Sequence, residues 1–395
     1  MNRQLIARIM GKSGLSFLLG KVIGWSGLLV LNYHRIGSSD ASVFDRGLWS
    51  AAPEAFDRQI RYCKKHFDVI NPEDLPDINS RRKGRYVLVT FDDGFIDNYT
   101  IAFPVLKSYG VRAIFFISTG FIDNPLLPWW DEIAWMVRTS RRDRVHVPLW
   151  LSAPVTFDEP DREQSVRLLL RAYKTMPSNN TTAYLDALGE ATGTGRFVKG
   201  EDASLWMTWD MLREMRATGM SVGGHTVSHP ILAKMPREQQ WHEISICGQR
   251  LADELGEPMR YFSYPVGNLR AFNGDTRECL EKAGVQFAFS YYGGFQTLHE
   301  WDNYDVRRIA IEEDMTSDWF RAIVTLPNIF ARRDSSNRSR GTASDEESVA
   351  PTEELRREEN ESARGFRPEA AIGDSAVLPR CRVHRADNPK QMPAN

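Results

Sequence analysis

Short apolar runs rich in β-branched and aromatic residues alternate with helical stretches through most of this 395-residue chain. Several helical stretches end in glycine, where a helix cap favours a left-handed residue, and the next apolar run follows at once. Alternation of this kind predicts a parallel sheet with helices outside it. Seven runs are predicted as strands: 28–33, 86–91, 113–118, 221–224, 261–264, 286–290 and 306–311.

The number of units favours a closed barrel over an open sheet. Both faces of a barrel strand are buried, which explains why the runs are almost continuously apolar. The predicted fold class is therefore α/β, a distorted (β/α)7 barrel of parallel strands with a helical insertion. Helices are predicted over residues 53–66, 98–109, 208–218, 236–255, 274–283 and 317–326.

The barrel domain is predicted to occupy residues 28–330. A segment at about 121–206 interrupts its alternation of strands and helices and is predicted to be an insertion. Five tryptophans in this insertion could line a carbohydrate groove, because indole faces stack on sugars, or could form the core of the insertion itself. They are Trp129, Trp130, Trp135, Trp150 and Trp206. Residues 331–395 hold one aromatic residue among many charged and small ones, so a disordered charged tail is predicted there.

The first 27 residues are predicted to form an amphipathic helix. Positive charges interleave with apolar residues over 3–24, so this segment could lie on a membrane surface or pack on the domain. The chain shows neither a spanning stretch of roughly 20 apolar residues nor a signal-peptide cleavage site. The expected location is cytoplasmic, with peripheral membrane contact left open.

Charge and cysteine content exclude several classes of function. Fifty basic and 52 acidic residues give a formal net charge of −2, whereas nucleic-acid binding needs a basic excess. The four cysteines form no CxxC pair, which excludes a cysteine zinc module. No nucleic-acid partner is expected, and the sequence indicates no protein partner.

Polar side chains gather at the carboxyl ends of the predicted strands, where barrel enzymes place their active sites. Asp92 and Asp93 follow the second strand, and neighbouring carboxylates resist joint ionisation unless a cation or proton lies between them. His225 and His229 follow the fourth strand at a spacing that can put both imidazoles on one face of a turn. Two histidines and one carboxylate leave an open position on a divalent metal ion, as catalytic zinc sites require. Water would fill that position, and the second carboxylate could take its proton.

Three segments resemble motifs of the polysaccharide deacetylase family, the NodB-homology group known as carbohydrate esterase family 4. They are TFDDGFIDNY (90–99), HTVSHP (225–230) and FSYPVGN (262–268). The resemblance covers roughly residues 28–311. It implies a distorted barrel, a divalent metal that is often zinc and sometimes cobalt, and hydrolytic removal of acetyl groups from glycans. An acetylated glycan is thus the expected partner, and N-acetyl groups are the expected target.

Residue roles follow from the resemblance position by position. Asp92 resembles the general base, and Asp93 resembles the metal-ligating carboxylate. His225 and His229 resemble the two metal histidines. An oxyanion formed during hydrolysis is expected near the backbone of the third motif, since backbone N–H groups commonly stabilise such charge.

The oxyanion and substrate-binding segment is expected at Tyr264, Pro265 and Val266, with the N–H of Val266 as the donor. Many family members supply the general acid from a late histidine, but the last strand here has none. His34 resembles the early Tyr-His motif of the biofilm-polysaccharide deacetylase branch and follows a strand. It is preferred as the acid over His299, which lies in a loop before the last strand.

A further departure from the family pattern leaves a question open. An arginine that orients the base often begins the third motif, but Ser263 stands there and Arg260 lies three residues earlier. The residue that orients Asp92 is therefore unassigned. Two other functions also stay open: hydrolysis of a non-sugar amide C–N bond on the same scaffold, and non-catalytic glycan binding.

Overall fold

Seven parallel strands pair side by side until the last meets the first, as a computed structural model of the chain shows. They are β1 (Gly27–Tyr33), β2 (Arg85–Phe91), β3 (Ala113–Ile117), β4 (Ser221–Gly224), β5 (Tyr261–Ser263), β6 (Phe287–Ser290) and β7 (Val306–Ala310). β1 pairs with β2 along its whole length and with β7 on its other side, which closes the barrel. The predicted (β/α)7 barrel is confirmed, and each predicted strand agrees to within one residue at either end.

The structure describes residues 25–331 except 82, 159, 161, 199–204 and 300. The chain divides into two units, 1–352 and 353–395, and all described residues lie in the first. The predicted N-terminal helix over 1–27 and the predicted tail over 331–395 therefore lie almost entirely outside the described residues. Gly27 belongs to β1 rather than to that helix. Within the described part of the chain, no helix is both long enough and apolar enough to cross a membrane.

Helices surround the barrel. They are α1 (Pro53–His66), α2 (Leu75–Ile78), α3 (Phe103–Ser108), α4 (Thr119–Asp123), α5 (Trp129–Thr139), α6 (Glu163–Thr175), α7 (Thr181–Thr192), α8 (Trp209–Ala217), α9 (Arg237–Leu255), α10 (Gly274–Lys282), α11 (Ser317–Thr325) and α12 (Pro327–Phe330). A π-helical turn, Asn98–Ala102, precedes α3, so the single helix predicted over 98–109 is two elements. The other five predicted helices agree with α1, α8, α9, α10 and α11 to within one residue at each end.

Short strands extend the sheet beyond the barrel. Asp68–Val69 pairs with β2, and Gln296–Thr297 runs antiparallel to the start of β1. Two further pairs lie apart from the main sheet. They join Arg35–Ile36 to Trp49–Ala51, and Arg144–Val145 to Val155–Thr156 within the insertion.

Alternate strand residues point into the barrel, and the character of this inner face changes along its axis. Farther from the carboxyl ends of the strands, the inner residues form one buried apolar cluster. It includes Leu28, Val30, Leu88, Phe116 and Phe289. Nearer the carboxyl ends of the strands, the same alternation brings Asn32, Thr90 and Arg308 inward, and all three are fully buried. The apolar interior therefore ends in a polar layer at the end of the barrel where active sites form.

The junction of β4 and β5 distorts the barrel. Phe262 and Gly224 form the one ladder pair between these strands. A Cβ atom at Gly224 would lie 2.2 Å from the sulfur of Met259, and one at Gly223 would lie 2.7 Å from the Tyr261 carbonyl oxygen. The two glycines therefore permit a close approach of neighbouring groups immediately before His225.

The insertion between β3 and β4 packs against the barrel through aromatic rings. The ring of Trp206 stacks between those of Phe95 and Phe121, with centroid separations of 4.8 and 4.6 Å. Trp129 and Trp130 are also buried. These three tryptophans form part of the core, as the second of the two interpretations of the insertion proposed.

Replacing Trp206 by alanine is expected to lower the free energy of unfolding by about 3–5 kcal/mol, because a large buried ring would leave a cavity. Urea denaturation followed by circular dichroism measures this loss. Val198 is an exposed apolar residue of the same insertion, so Val198→Ala should change stability by less than about 0.5 kcal/mol. Equal effects of the two substitutions would contradict the anchoring role of Trp206.

Candidate active site

Three candidate metal ligands meet at the carboxyl end of the barrel. Nε2 of His225 lies 3.3 Å from Oδ1 of Asp93, and Nε2 of His229 lies 3.4 Å from the same oxygen. All three side chains are buried, and their ligand atoms lie within 4.8 Å of one another. The ends of β2 and β4 thus bring together residues that are far apart in the sequence.

The polar atoms of this triad are arranged to receive a cation. Oδ1 of Asp93 is buried and accepts no hydrogen bond from the described residues. Nδ1 of His225 lies 2.7 Å from the Ser263 carbonyl oxygen, which can only accept, so Nδ1 carries hydrogen and the lone pair of Nε2 faces Asp93. Ligand atoms about 2.0–2.1 Å from a tetrahedral ion lie about 3.3 Å apart, close to the separations observed. Asp93, His225 and His229 therefore fit a divalent metal ion.

Burial and charge set the protonation of these groups. Burial, together with the neighbouring His225, lowers the pKa of His229 to about 3, so this imidazole is neutral and can act as a ligand. Burial alone would lower the pKa of His225, but the carboxylates of Asp92 and Asp93 outweigh it and raise that pKa. A position that stabilises positive charge on His225 also attracts a metal cation.

Left-handed backbone conformations concentrate around the triad. The φ angles of Asp93, Thr226, His229 and Val266 are +75°, +68°, +57° and +62°. Three other non-glycine residues among those described share this conformation. Such angles are especially unfavourable for β-branched residues, so the surrounding contacts must hold these segments in place.

The second carboxylate, Asp92, is held by a buried arginine. Nη1 and Nη2 of Arg308 each lie 2.8 Å from one carboxylate oxygen, and neither side chain is more than 4% exposed. Oδ2 also accepts hydrogen bonds from Asn32 at 3.2 Å and from the Ser263 hydroxyl at 3.3 Å. Burial alone would raise the pKa of Asp92, but the charges of Arg308 and His225 hold it well below its usual range.

His34 lies beside Asp92 at the end of β1. Its Nε2 is 3.9 Å from Oδ2 of Asp92, and its ring meets that of Tyr291 edge to face at 5.4 Å. Burial lowers the pKa of His34. His299 is exposed and follows the strand Gln296–Thr297, which pairs with the start of β1, so it lies near the opposite end of the barrel.

The segment after β5 offers one available backbone donor. The N–H of Tyr264 donates to the Phe289 carbonyl at 3.1 Å, and its hydroxyl donates to the Tyr304 carbonyl at 2.8 Å. Pro265 has no N–H. Among the described residues, nothing accepts from the N–H of Val266. Of the three residues predicted here, Val266 is therefore the one that can offer a backbone N–H to a ligand.

The sequence model of the polysaccharide deacetylase family matches residues 79–142 and 155–288, half of the chain. The chain belongs to this family. The matched residues include Asp92, Asp93, His225 and His229, and the prediction of a hydrolytic deacetylase that acts on glycans is confirmed.

Several proteins are similar to this deacetylase over most of its length. YxkH of Bacillus subtilis, a protein whose name assigns it to the polysaccharide deacetylases, is 20% identical over 301 residues, which cover 75% of this chain and 76% of YxkH. Solved structures include the deacetylase PplD of Streptococcus pyogenes in complex with acetate (19% identity, TM-score 0.49, 74% of this chain and 96% of PplD). IcaB from Ammonifex degensii has 21% identity and a TM-score of 0.47, over 76% of this chain and 96% of IcaB.

The arginine that orients Asp92 in this deacetylase was not predicted from the sequence. Arg260 is exposed just before β5, whereas Arg308 reaches the carboxylate from β7. A signal for Arg308 was present, because Val306 and Arg308 share one face of an apolar strand. An arginine on the inner face of a barrel strand needs a buried partner, which Asp92 supplies.

The insertion also reaches the triad of this deacetylase. The indole N–H of Trp129 donates to the His229 carbonyl at 3.4 Å, and the ring of Trp130 meets the His229 imidazole edge to face at 4.4 Å. The insertion therefore supports a candidate metal ligand directly.

Replacing Arg308 by methionine is expected to destabilise the deacetylase by about 3–5 kcal/mol at neutral pH, because Asp92 would be a buried, unpaired carboxylate. In the wild type, the low folded pKa of Asp92 adds stability above about pH 4, which is lost as pH falls through the folded pKa. In the variant, burial would raise the folded pKa of Asp92, so the difference in stability should shrink as the pH falls.

Urea denaturation of both proteins at pH 7 and at pH 4.5 measures this difference. Arg307 neighbours Arg308 on β7 but alternates to its other face, so Arg307→Met should cost less and show no comparable pH dependence. A loss for Arg308→Met that stays the same at both pH values would contradict the pairing with a charged Asp92.

Proposed function

We propose that this protein removes N-acetyl groups from a polysaccharide, an oligosaccharide or a lipid-linked glycan, in a reaction that depends on a divalent metal ion. Zinc is the expected ion, and cobalt or another first-row ion also suits histidine and carboxylate ligands. One observation carries the proposal. Asp93, His225 and His229 lie together beside Asp92, a second carboxylate that Arg308 holds.

Asp93, His225 and His229 would hold the ion and leave a position open for water or substrate. A bound divalent ion polarises a carbonyl group and lowers the pKa of a bound water to about 7. The chain's own groups would then supply the proton transfers and hold the developing negative charge.

Asp92 would accept the proton of the attacking water. Arg308 contacts both carboxylate oxygens, and Asn32 and Ser263 contact Oδ2 in addition, so Oδ1 keeps a lone pair free to accept. Pairing with Arg308 holds the pKa of Asp92 well below its usual range, so this carboxylate is ionised at neutral pH. A base of such low pKa is weak, so the scheme depends on a water molecule that is itself unusually acidic.

His34 would deliver a proton to the departing nitrogen. Burial lowers its pKa, so His34 starts neutral and must first receive the proton that it later donates. The proton that Asp92 accepts at Oδ1 would be the source in this scheme, and Oδ2, 3.9 Å from Nε2 of His34, would stabilise the positive charge of the imidazolium that forms. Catalytic hydrogen bonds are often long without substrate and shorten in the complex. The proton taken from water thus passes through Asp92 and His34 to the amine.

The N–H of Val266 would donate to the oxyanion of the tetrahedral intermediate. Its left-handed φ of +62° fixes the direction of this N–H before substrate arrives. A donor held in place in this way stabilises developing charge without reorganisation during the reaction.

The location of the protein also stays a proposal. A cytoplasmic enzyme with peripheral membrane contact through residues 3–24 would suit a lipid-linked substrate. These residues lie outside the part of the chain that the structure describes.

Acetate release from N-acetylated oligosaccharides tests the proposed function. Chelator-stripped protein should release no acetate, and added Zn²⁺ or Co²⁺ should restore release. Asp92→Asn should lower kcat by about 10²–10⁴-fold, the usual contribution of general base catalysis, while the protein still binds the metal. Circular dichroism checks that this variant is folded. Full activity of Asp92→Asn, or of the stripped protein, would contradict the scheme.

A panel of glycans and simple amides distinguishes the proposed deacetylase from the remaining alternative, a hydrolase of non-sugar amide bonds. No acetate from any glycan, together with measured metal binding and release of acid from small amides, would favour a hydrolase of non-sugar amide bonds. Acetate from glycans alone would favour the proposed deacetylase.

Replacing His34 by glutamine is expected to lower kcat by about 10²–10⁴-fold with little change in metal affinity, because the proton path to the leaving nitrogen would be lost. His299→Gln is the matched control, since His299 is exposed near the other end of the barrel, and it should keep wild-type kcat. The assignment of the acid would be wrong if the His299 variant lost activity and the His34 variant retained it.

A further inference from the structure

The loop that carries both histidines, residues 225–229, rests on a carboxylate of α9 that the scheme above does not use. Oε2 of Glu243 accepts hydrogen bonds from the backbone N–H groups of Val227 at 2.8 Å and Ser228 at 2.9 Å. Oε1 accepts from the Ser228 hydroxyl at 2.6 Å. Glu243 is buried, and both of its carboxylate oxygens are used in these contacts.

The opposite side of the loop is held by the junction of β3 and α4. The carbonyl oxygens of the first three loop residues accept from the Ser118 hydroxyl at 3.0 Å and from the N–H groups of Thr119 and Gly120 at 3.2 and 2.9 Å. A Cβ atom at Gly120 would lie 2.6 Å from the Val227 carbonyl oxygen, so glycine permits this approach. The loop is thus held through its carbonyls on one side and through two amides on the other.

The two amides that Glu243 holds lie between the two strained positions of the loop. Thr226 and His229 have φ angles of +68° and +57°, and Val227 and Ser228 separate them. The N–H of His229 donates to the Thr226 side-chain oxygen at 2.9 Å, which turns the chain back toward His225. Strained backbone of this kind persists only where surrounding contacts hold it.

We propose that Glu243 is a positioning residue for metal binding. It holds the loop so that Nε2 of His225 and Nε2 of His229 face the same oxygen of Asp93. The proposal rests on the proposed metal-dependent function and adds to it a residue that touches neither metal nor substrate. Groups behind metal ligands commonly change metal affinity by about 10–100-fold when they are replaced.

Three substitutions of Glu243 separate positioning from charge. Glu243→Gln removes the charge but keeps the contacts, since its amide oxygen can accept from both N–H groups and its nitrogen can donate to the Ser228 hydroxyl oxygen. Glu243→Asp keeps the charge but withdraws the oxygens by one methylene group. Glu243→Ala removes both. Glu238→Ala, at an exposed glutamate of α9, is the matched control.

Titration of the metal-free full chain with Co²⁺, followed by its visible absorption, measures affinity and ligand geometry, and thermal unfolding of the same samples measures stability. We expect Glu243→Ala and Glu243→Asp to bind Co²⁺ about tenfold or more weakly, with an altered cobalt spectrum, and Glu243→Gln to stay within about threefold of wild type. Glu238→Ala should match the wild type.

Wild-type affinity in Glu243→Ala would overturn the proposal. A Glu243→Gln protein as weak as Glu243→Ala, beside a Glu243→Asp protein that binds normally, would also overturn it in favour of a charge effect. If Glu243→Ala does not fold, Glu243→Asp and Ser228→Ala decide the question together. Ser228→Ala removes one of the three contacts, so it should weaken Co²⁺ binding less than Glu243→Asp does. Failure of the proposed function is distinct, since the wild type itself would then bind no Co²⁺ or release acetate without metal.

Discussion

A buried ion pair between Arg308 and Asp92 organises the polar end of the barrel. Arg308 lies on β7 and Asp92 directly follows β2, and these are the two strands that flank β1. The pair therefore spans the place where the first and last strands of the barrel meet. Two opposite charges buried away from water are stable together only when they are in close contact and further hydrogen bonds satisfy their remaining polar atoms. Asn32 and Ser263 provide such hydrogen bonds to both partners.

Adjacent carboxylates can take different roles here because different parts of the fold hold them. Asp92 has its charge matched by Arg308, whereas Oδ1 of Asp93 faces the two imidazoles and accepts no hydrogen bond from the described residues. The left-handed φ of Asp93 separates the directions of the two side chains. The two carboxylates therefore have different electrostatic surroundings, one paired with a guanidinium and the other facing two imidazoles, although a single peptide bond joins them.

Much of the fold could be predicted because its signals are local. Buried parallel strands give continuous apolar runs, and glycine caps mark where helices end, so all seven strands agree with prediction to within one residue. The triad was also predicted, since Asp93, His225 and His229 directly follow two of these strands. The π-helical turn at Asn98–Ala102 was missed, because a turn with one extra residue has no distinct hydrophobic period.

The sequence by itself determined the order of strands and helices and the polar residues that follow the strands, because each depends on neighbours a few positions away. Only the tertiary structure decided that Arg308 rather than Arg260 holds Asp92, since 216 residues separate the partners and closure of the barrel brings them together. It also placed His34 beside Asp92 and His299 near the far end. These choices depend on the register of the whole sheet, which no local pattern encodes.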